Sequence, residues 1–115
     1  MKKDNLVYIA HIKTCIDKIQ SYTLNMSKDE FLDNSLVSDA VIRNFEIIGE
    51  ATKHLSEDFK QKYPAIEWKK MAGMRDKLIH DYIGVDLWAV WAVVDAIIPL
   101  FAIQIQEILN QNPSN

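Results

Sequence analysis

Arg75, Asp76, His80 and Tyr82 are the side chains in this sequence whose types and spacing could do chemistry together. They fall within residues 71–84 (MAGMRDKLIHDYIG) as Arg-x4-His-x-Tyr. Arginine is a permanent cation with five donors, suited to a phosphate group. Histidine is the side chain that gains and loses a proton near neutral pH. Asp76 precedes His80 by four residues, so on a helix its carboxylate reaches the imidazole, where it would orient the ring and favour its protonated form. A phosphate clamp beside an oriented acid–base group is the minimum equipment for cutting a phosphodiester. The same four residue types are also what an ordinary solvated helix face carries. Arg75 and His80 are five residues apart, which on a straight helix separates them by about 140°. One face of one helix does not present both, so a site built from them needs a bend or a second chain.

The charge distribution supports a phosphate-binding surface. The formal net charge is −3, which argues against a general nucleic-acid coat. Between Lys60 and Lys77, however, six cations (Lys60, Lys62, Lys69, Lys70, Arg75, Lys77) face two acids (Glu67, Asp76), so that window is +4 and the remainder −7. A basic patch beside the candidate site is what a phosphate-binding surface requires. A solvated lysine-rich turn has the same composition.

The elements that must position these residues read as helices throughout. With 115 residues, 49% hydrophobic and 25% charged, the chain is expected to be one globular all-α domain spanning 1–115, with a core small enough that a partner subunit would help it. Asp4 or Asn5 caps a first helix over 5–23, with Leu6, Ile9, Ile12, Cys15, Ile16 and Ile19 as its apolar stripe. His11 stands far in sequence from any other ligand type, so a surface or packing role is expected and not a metal. Ser27-x-x-Glu30 is a capping box that starts a short helical piece, and Ser35 is expected to cap a helix over 36–55. Leu36, Val37, Ala40, Val41, Ile47, Ile48, Ala51 and Leu55 form its apolar face, while Arg43, Glu46 and Glu50 form a polar stripe. Gly49 in that helix suggests close approach of another. Ser56 caps a short piece broken by Tyr63-Pro64. A helix from Glu67 to Gly84 covers the motif, with Trp68, Met71, Leu78 and Ile79 toward the core and Gly73 offering close packing or a bend.

Asp86 caps the last helix, 87–110. Residues 87–103 are almost wholly apolar, yet short of the roughly 20 residues a membrane span needs. Asp95 near the middle and Pro99, which should kink the helix, also argue against lipid. A buried central helix is the simpler reading, with one side toward another subunit and Trp88 and Trp91 as core or interface anchors. The tail 110–115 is expected to fray. The one cysteine, Cys15, reads as a small buried hydrophobe, and with no signal peptide recognised a reducing cytoplasm is the expected compartment. No glycine-rich phosphate loop, Cys/His zinc spacing, nucleophilic triad or internal repeat is present.

The Arg75-x4-His80-x-Tyr82 arrangement, together with residues 41–51 (VIRNFEIIGEA) and 68–75 (WKKMAGMR), resembles the HEPN-domain ribonucleases, specifically their HepT-like toxin branch. The likeness runs over most of the chain. Asp76 departs from it, since that position is most often Asn in the branch. The resemblance implies a four-to-five-helix up-and-down bundle of HEPN type that forms a homodimer, with the active site assembled across the two subunits. It implies a metal-independent endoribonuclease toxin without cofactor, acting on tRNA or messenger RNA, with Arg75, His80 and Asp76 catalytic and Lys69, Lys70 and Lys77 on the RNA backbone. It also implies a cognate minimal nucleotidyltransferase as antitoxin, which adenylylates Tyr82. Two other classes stay open: a non-catalytic nucleotide-binding or scaffold partner of such a transferase, and a purely structural helical dimer.

Overall fold

Isoleucines at helical spacing build the first wall of the core. In the computed structural model, which describes residues 4–80 and 86–113 and, within 75–80, the backbone alone, α1 spans Asn5–Tyr22 and buries Ile9, Ile12, Cys15, Ile16 and Ile19. Asp4 is its cap, accepting from the Leu6 amide. Asn5, the alternative cap, instead ties the two ends of the helical hairpin together. Its side-chain amide donates to Ser56 Oγ at 3.3 Å, and its carbonyl accepts from the Ser56 amide at 3.0 Å.

The capping box forms as expected. Ser27 Oγ accepts from the Glu30 amide, and the Glu30 carboxylate accepts from the Ser27 amide, opening α2 over Lys28–Leu32. The backbone N–H of Ser27 holds the Glu30 carboxyl below its ordinary range. That contribution is therefore present above the carboxyl's unfolded pKa and is lost as pH falls through the lowered one. The next helix, α3, spans Ser35–Lys53 and differs from expectation at its start. Asn34 is the cap, accepting from the Val37 amide at 3.1 Å, and Ser35 is already helical. Leu36 consequently sits in the first turn at 81% exposure and does not join the apolar face. The buried face of α3 is Val41, Phe45, Ile48 and Ala51, and Phe45 was not among the expected core residues. Its polar members bond to their own helix: Asn44 Nδ2 donates to the Ala40 carbonyl and Thr52 Oγ1 to the Ile48 carbonyl. Of the polar stripe, Arg43 pairs with Glu46 at 3.4 Å and Glu50 with His54 at 3.5 Å, both exposed pairs of little energetic weight.

After the short α4, Glu57–Gln61, capped by Ser56, α5 runs from Trp68 to His80 and packs chiefly on α3. Trp68, Met71 and Met74 are its buried residues with described side chains; those of Leu78 and Ile79 lie outside the described residues, as does Gly84. Gly73 does not serve close packing: a Cβ placed there meets nothing within 4 Å. The helix is α throughout its length, with no break at that glycine.

Asp86 caps α6, Leu87–Ala92, accepting from the amides of Trp88 and Ala89. A π-helical segment, Val93–Ile97, joins it directly to α7, Ile98–Gln111. Pro99 has no N–H for the Asp95 carbonyl, and its ring would collide with that carbonyl in a regular α-helix. The wider π turn just before it takes up the misfit, and the helix continues through Pro99. The continuous stretch Leu87–Gln111, close to the expected 87–110, is thus 25 residues long, and an 18-residue window within it has a mean hydropathy of 1.9. By length and composition it is long and apolar enough to cross a membrane, where the sequence reading expects its apolar run to be too short for that. It is not buried all round either, since 28% of its most apolar window is covered. Val90, Val94, Ile98, Phe101, Ile105 and Ile108 face the core, while Trp88, Leu100 and Ile103 are exposed. Trp91 packs on Phe31 at 5.3 Å between centroids, whereas Trp88 points away with Lys28 Nζ 4.0 Å from its ring. The tail does not fray at Asn110: Asn112 Nδ2 donates to the Ile108 carbonyl and to the Tyr63 hydroxyl.

Among the described residues the chain is all-helical, with a radius of gyration of 14.3 Å against about 13 Å for a compact chain of this length. A mid-helix glycine costs about 1 kcal/mol relative to alanine. Because space at Gly73 is open, Gly73→Ala should raise the unfolding free energy by about that amount, read as a higher urea midpoint at unchanged slope. An unchanged or lowered midpoint would show that the position is packed.

Candidate functional site

The basic window is held in place by an aromatic clamp. Trp68 opens α5 with its indole buried, and the indole N–H donates to two carbonyls, Lys60 of α4 at 3.1 Å and Tyr63 of the connector at 3.2 Å. Phe59 lies against Tyr63 and Trp68, with ring centroids 5.2 and 6.4 Å apart. Gln104 of α7 donates to the Ala65 carbonyl at 3.4 Å, and Tyr63 is held by Asn112. The segment between α4 and α5 is therefore fastened to both neighbours, and the lysines that flank it start from a fixed backbone.

Between α4 and α5 lies an open groove of about 880 Å³. Lys60, Lys69 and Lys70 border it, and Pro64, Ile66 and Ala72 supply apolar wall. Two of the lysines are occupied by groove acids: Lys60 with Glu57 at 3.0 Å and Lys70 with Glu67 at 2.9 Å. Among the described residues Lys69 has no such carboxylate and remains an uncompensated cation. Lys69 and Lys70 both stand in the first turn of α5, where the helix dipole disfavours cations, so local helix stability does not account for them.

Of the residues singled out from the sequence, the structure places Lys69 and Lys70 on this groove. Arg75, Asp76, Lys77 and His80 all lie on α5, but their side chains are outside the described residues, and Tyr82 is wholly outside them. The backbone of α5 settles their register. Position 75 falls in the sector of Trp68 and Met71, the side turned to the core. Positions 76 and 80 fall in line with Lys69 and Gly73, on the opposite side, about 100° and 140° around the helix from position 75. The groove residues Lys60, Gln61, Pro64 and Ala72 were not anticipated as a group. They come together only through the α4–α5 turn, although the run of lysines from Lys60 was visible.

Cys15 is buried against α3 and its thiol is pushed up by burial, the opposite of what a nucleophile needs. His11 is exposed, and among the described residues no cluster of potential metal ligands forms.

Residues 12–108 match the family Ribonuclease HepT-like, and the chain belongs to that family. Relatives with individual names bear this out. The chain is 43% identical over 99 residues to "Probable ribonuclease HepT" of Thermococcus cleftensis, covering 86% of this chain and 90% of that protein. It is 41% identical over 108 residues to "Putative RNase MJ1216" of Methanocaldococcus jannaschii, covering 94% and 89%. It is also 44% identical over 118 residues to "Gamma-glutamylcyclotransferase and putative RNase MJ0434" of the same organism. That alignment takes in all of this chain but 53% of the relative, so the chain spans about half of that protein's length. No solved structure is significantly similar to the chain.

Proposed function

We propose that the chain is a metal-independent endoribonuclease toxin of the HepT type, working in the cytoplasm as a homodimer. The observation that carries the reading is the Arg75-x4-His80-x-Tyr82 arrangement in a chain that belongs to this ribonuclease family. In the proposed reaction the ribose 2′-oxygen bonds to the adjacent phosphorus, the bond to the 5′-oxygen breaks, and a 2′,3′-cyclic phosphate forms. The proton lost by the 2′-hydroxyl passes through His80 to the leaving oxygen. Arg75 stabilises the charge that builds on the phosphoryl oxygens. Asp76 orients His80, and Lys69, Lys70 and Lys77 hold the flanking backbone.

Two features support the dimer. First, α5 is a continuous α-helix, so positions 75 and 80 lie about 140° apart around it, and one face of one helix does not bring the two together. Second, α6 and α7 present Trp88, Leu100 and Ile103 to solvent along a 25-residue apolar helix, a face that a second subunit would cover. Asp76 favours one alternative, a non-catalytic nucleotide-binding or scaffold partner of a nucleotidyltransferase, because a carboxylate beside the phosphate opposes RNA.

His80→Ala and Arg75→Ala should each lower cleavage of tRNA or messenger RNA by about 10²–10⁴-fold with the helical spectrum unchanged. Wild-type cleavage should persist in EDTA and leave cyclic phosphate ends. Near-wild-type cutting by His80→Ala would refute the assignment.

Tyr82 is proposed as the regulatory handle. A minimal nucleotidyltransferase would transfer AMP from ATP to the phenol oxygen with release of pyrophosphate, placing a bulky anion where the RNA phosphate must sit. Co-expression with such an enzyme should add AMP to the Tyr82 peptide by mass spectrometry and silence cleavage. Modification confined to Tyr8, Tyr22 or Tyr63 would show that Tyr82 is not the handle.

A further inference from the structure

From the groove between α4 and α5 we infer that this surface is a subsite for single-stranded RNA lying to one side of the scissile phosphate. This rests on the ribonuclease reading and adds to it a place where the chain of the substrate is held. Three observations carry it. The groove combines the two chemistries a nucleotide presents: apolar wall from Pro64, Ile66 and Ala72 for a base, and the uncompensated cation of Lys69 for a phosphate. It is continuous with the motif. Lys69, Gly73 and positions 76 and 80 follow one another at three- and four-residue steps along a single stripe of α5, and about 16 Å of helix axis separates Lys69 from position 80, a span of a few nucleotides. Finally, the stripe is bare where it crosses Gly73. No described part of the chain needs a glycine there, since a Cβ would meet nothing within 4 Å, but a strand of RNA running from the groove toward position 80 would pass directly over it.

The groove's charge also favours RNA over an acidic protein segment as its occupant. Among the described residues Glu57 and Glu67 line it and are each held by a lysine, which leaves Lys69 as one concentrated positive point, matched to a phosphate. An apolar wall beside a single cation suits a nucleotide, and binding of this kind tolerates sequence because every base has an apolar face.

The test uses the full-length chain with His80→Ala as parent, so that bound RNA stays intact, and a fluorescein-labelled single-stranded oligoribonucleotide of mixed sequence followed by anisotropy. Lys69→Gln removes the cation, Ala72→Leu fills the apolar wall without adding an aromatic platform, and Lys18→Gln on exposed α1 is the charge-matched control. Thermal melts confirm folding of each, and Lys69→Gln, a change at an exposed site, carries the test should Ala72→Leu fail to fold. Lys69→Gln and Ala72→Leu should each weaken binding about tenfold, the scale of one lost base or phosphate contact. Lys69→Gln should also reduce the slope of log affinity against log salt by about 0.7, while Lys18→Gln stays within about twofold of the parent. Binding by both groove variants within twofold of the parent would overturn the subsite and give the groove to a protein partner; an equal loss in Lys18→Gln would also overturn it, in favour of diffuse charge attraction. If either result came with a wild type that cuts RNA, the ribonuclease reading would stand without the groove. A parent that binds no RNA, with a wild type that cuts none, would remove both.

Discussion

Burial of one side of α5 against α3 is the constraint on which the candidate site depends. Trp68, Met71 and Met74 fix which way the helix is turned, and a regular helix then leaves no choice about the rest. Position 75 is carried toward the core side and position 80 away from it. A phosphate-binding arginine and a proton-transferring histidine five residues apart cannot share a face unless the helix breaks, and the α geometry holds from Trp68 to His80. The proposed site would then draw on a second chain, which is why the proposal joins catalysis to association.

The last helix shows a related coupling between backbone and surface. Pro99 would normally end or kink a helix, but the π segment Val93–Ile97 takes up the misfit and keeps Leu87–Gln111 continuous. Continuity matters because it lines up two faces along 25 residues. One, from Val90 to Ile108, completes the core against α1. The other, with Trp88, Leu100 and Ile103, is left more than half exposed. Without the π turn, the exposed apolar residues would be scattered over two short helices; with it they form one strip suited to a partner.

Much of this was legible in the sequence, and the limits have physical reasons. The isoleucines of α1, the capping box at Ser27 and the Asp86 cap are local signals, set by spacing and by nearby backbone amides, and they appear where expected. Asn34 and Ser35 are both good caps, and only the amide of Val37 chooses between them; that choice moves Leu36 to the surface. Phe45 fits the spacing of Val41, Ile48 and Thr52, so its burial was within reach of the same periodicity argument. The separation of Trp88 from Trp91 depends on Phe31, and the anchoring of Asn112 depends on Tyr63, partners distant in sequence that no local pattern reveals. The groove is of the same kind: its lysines were visible as a run, its shape only as a product of the Trp68 clamp. Arg75, His80 and Tyr82 were legible as a motif because spacing alone defines it.

The composite site is tested most directly by mixing two inactive variants. Arg75→Ala and His80→Ala chains, denatured together and refolded, should form mixed dimers detectable by native mass spectrometry. If each site takes its arginine from one chain and its histidine from the other, every mixed dimer regains one intact site of two. With half of the dimers mixed, RNA cleavage should return to roughly a quarter of the wild-type level. If activity stays at the level of the separate variants while mixed dimers are present, each site lies within a single chain, and a site shared between subunits is contradicted.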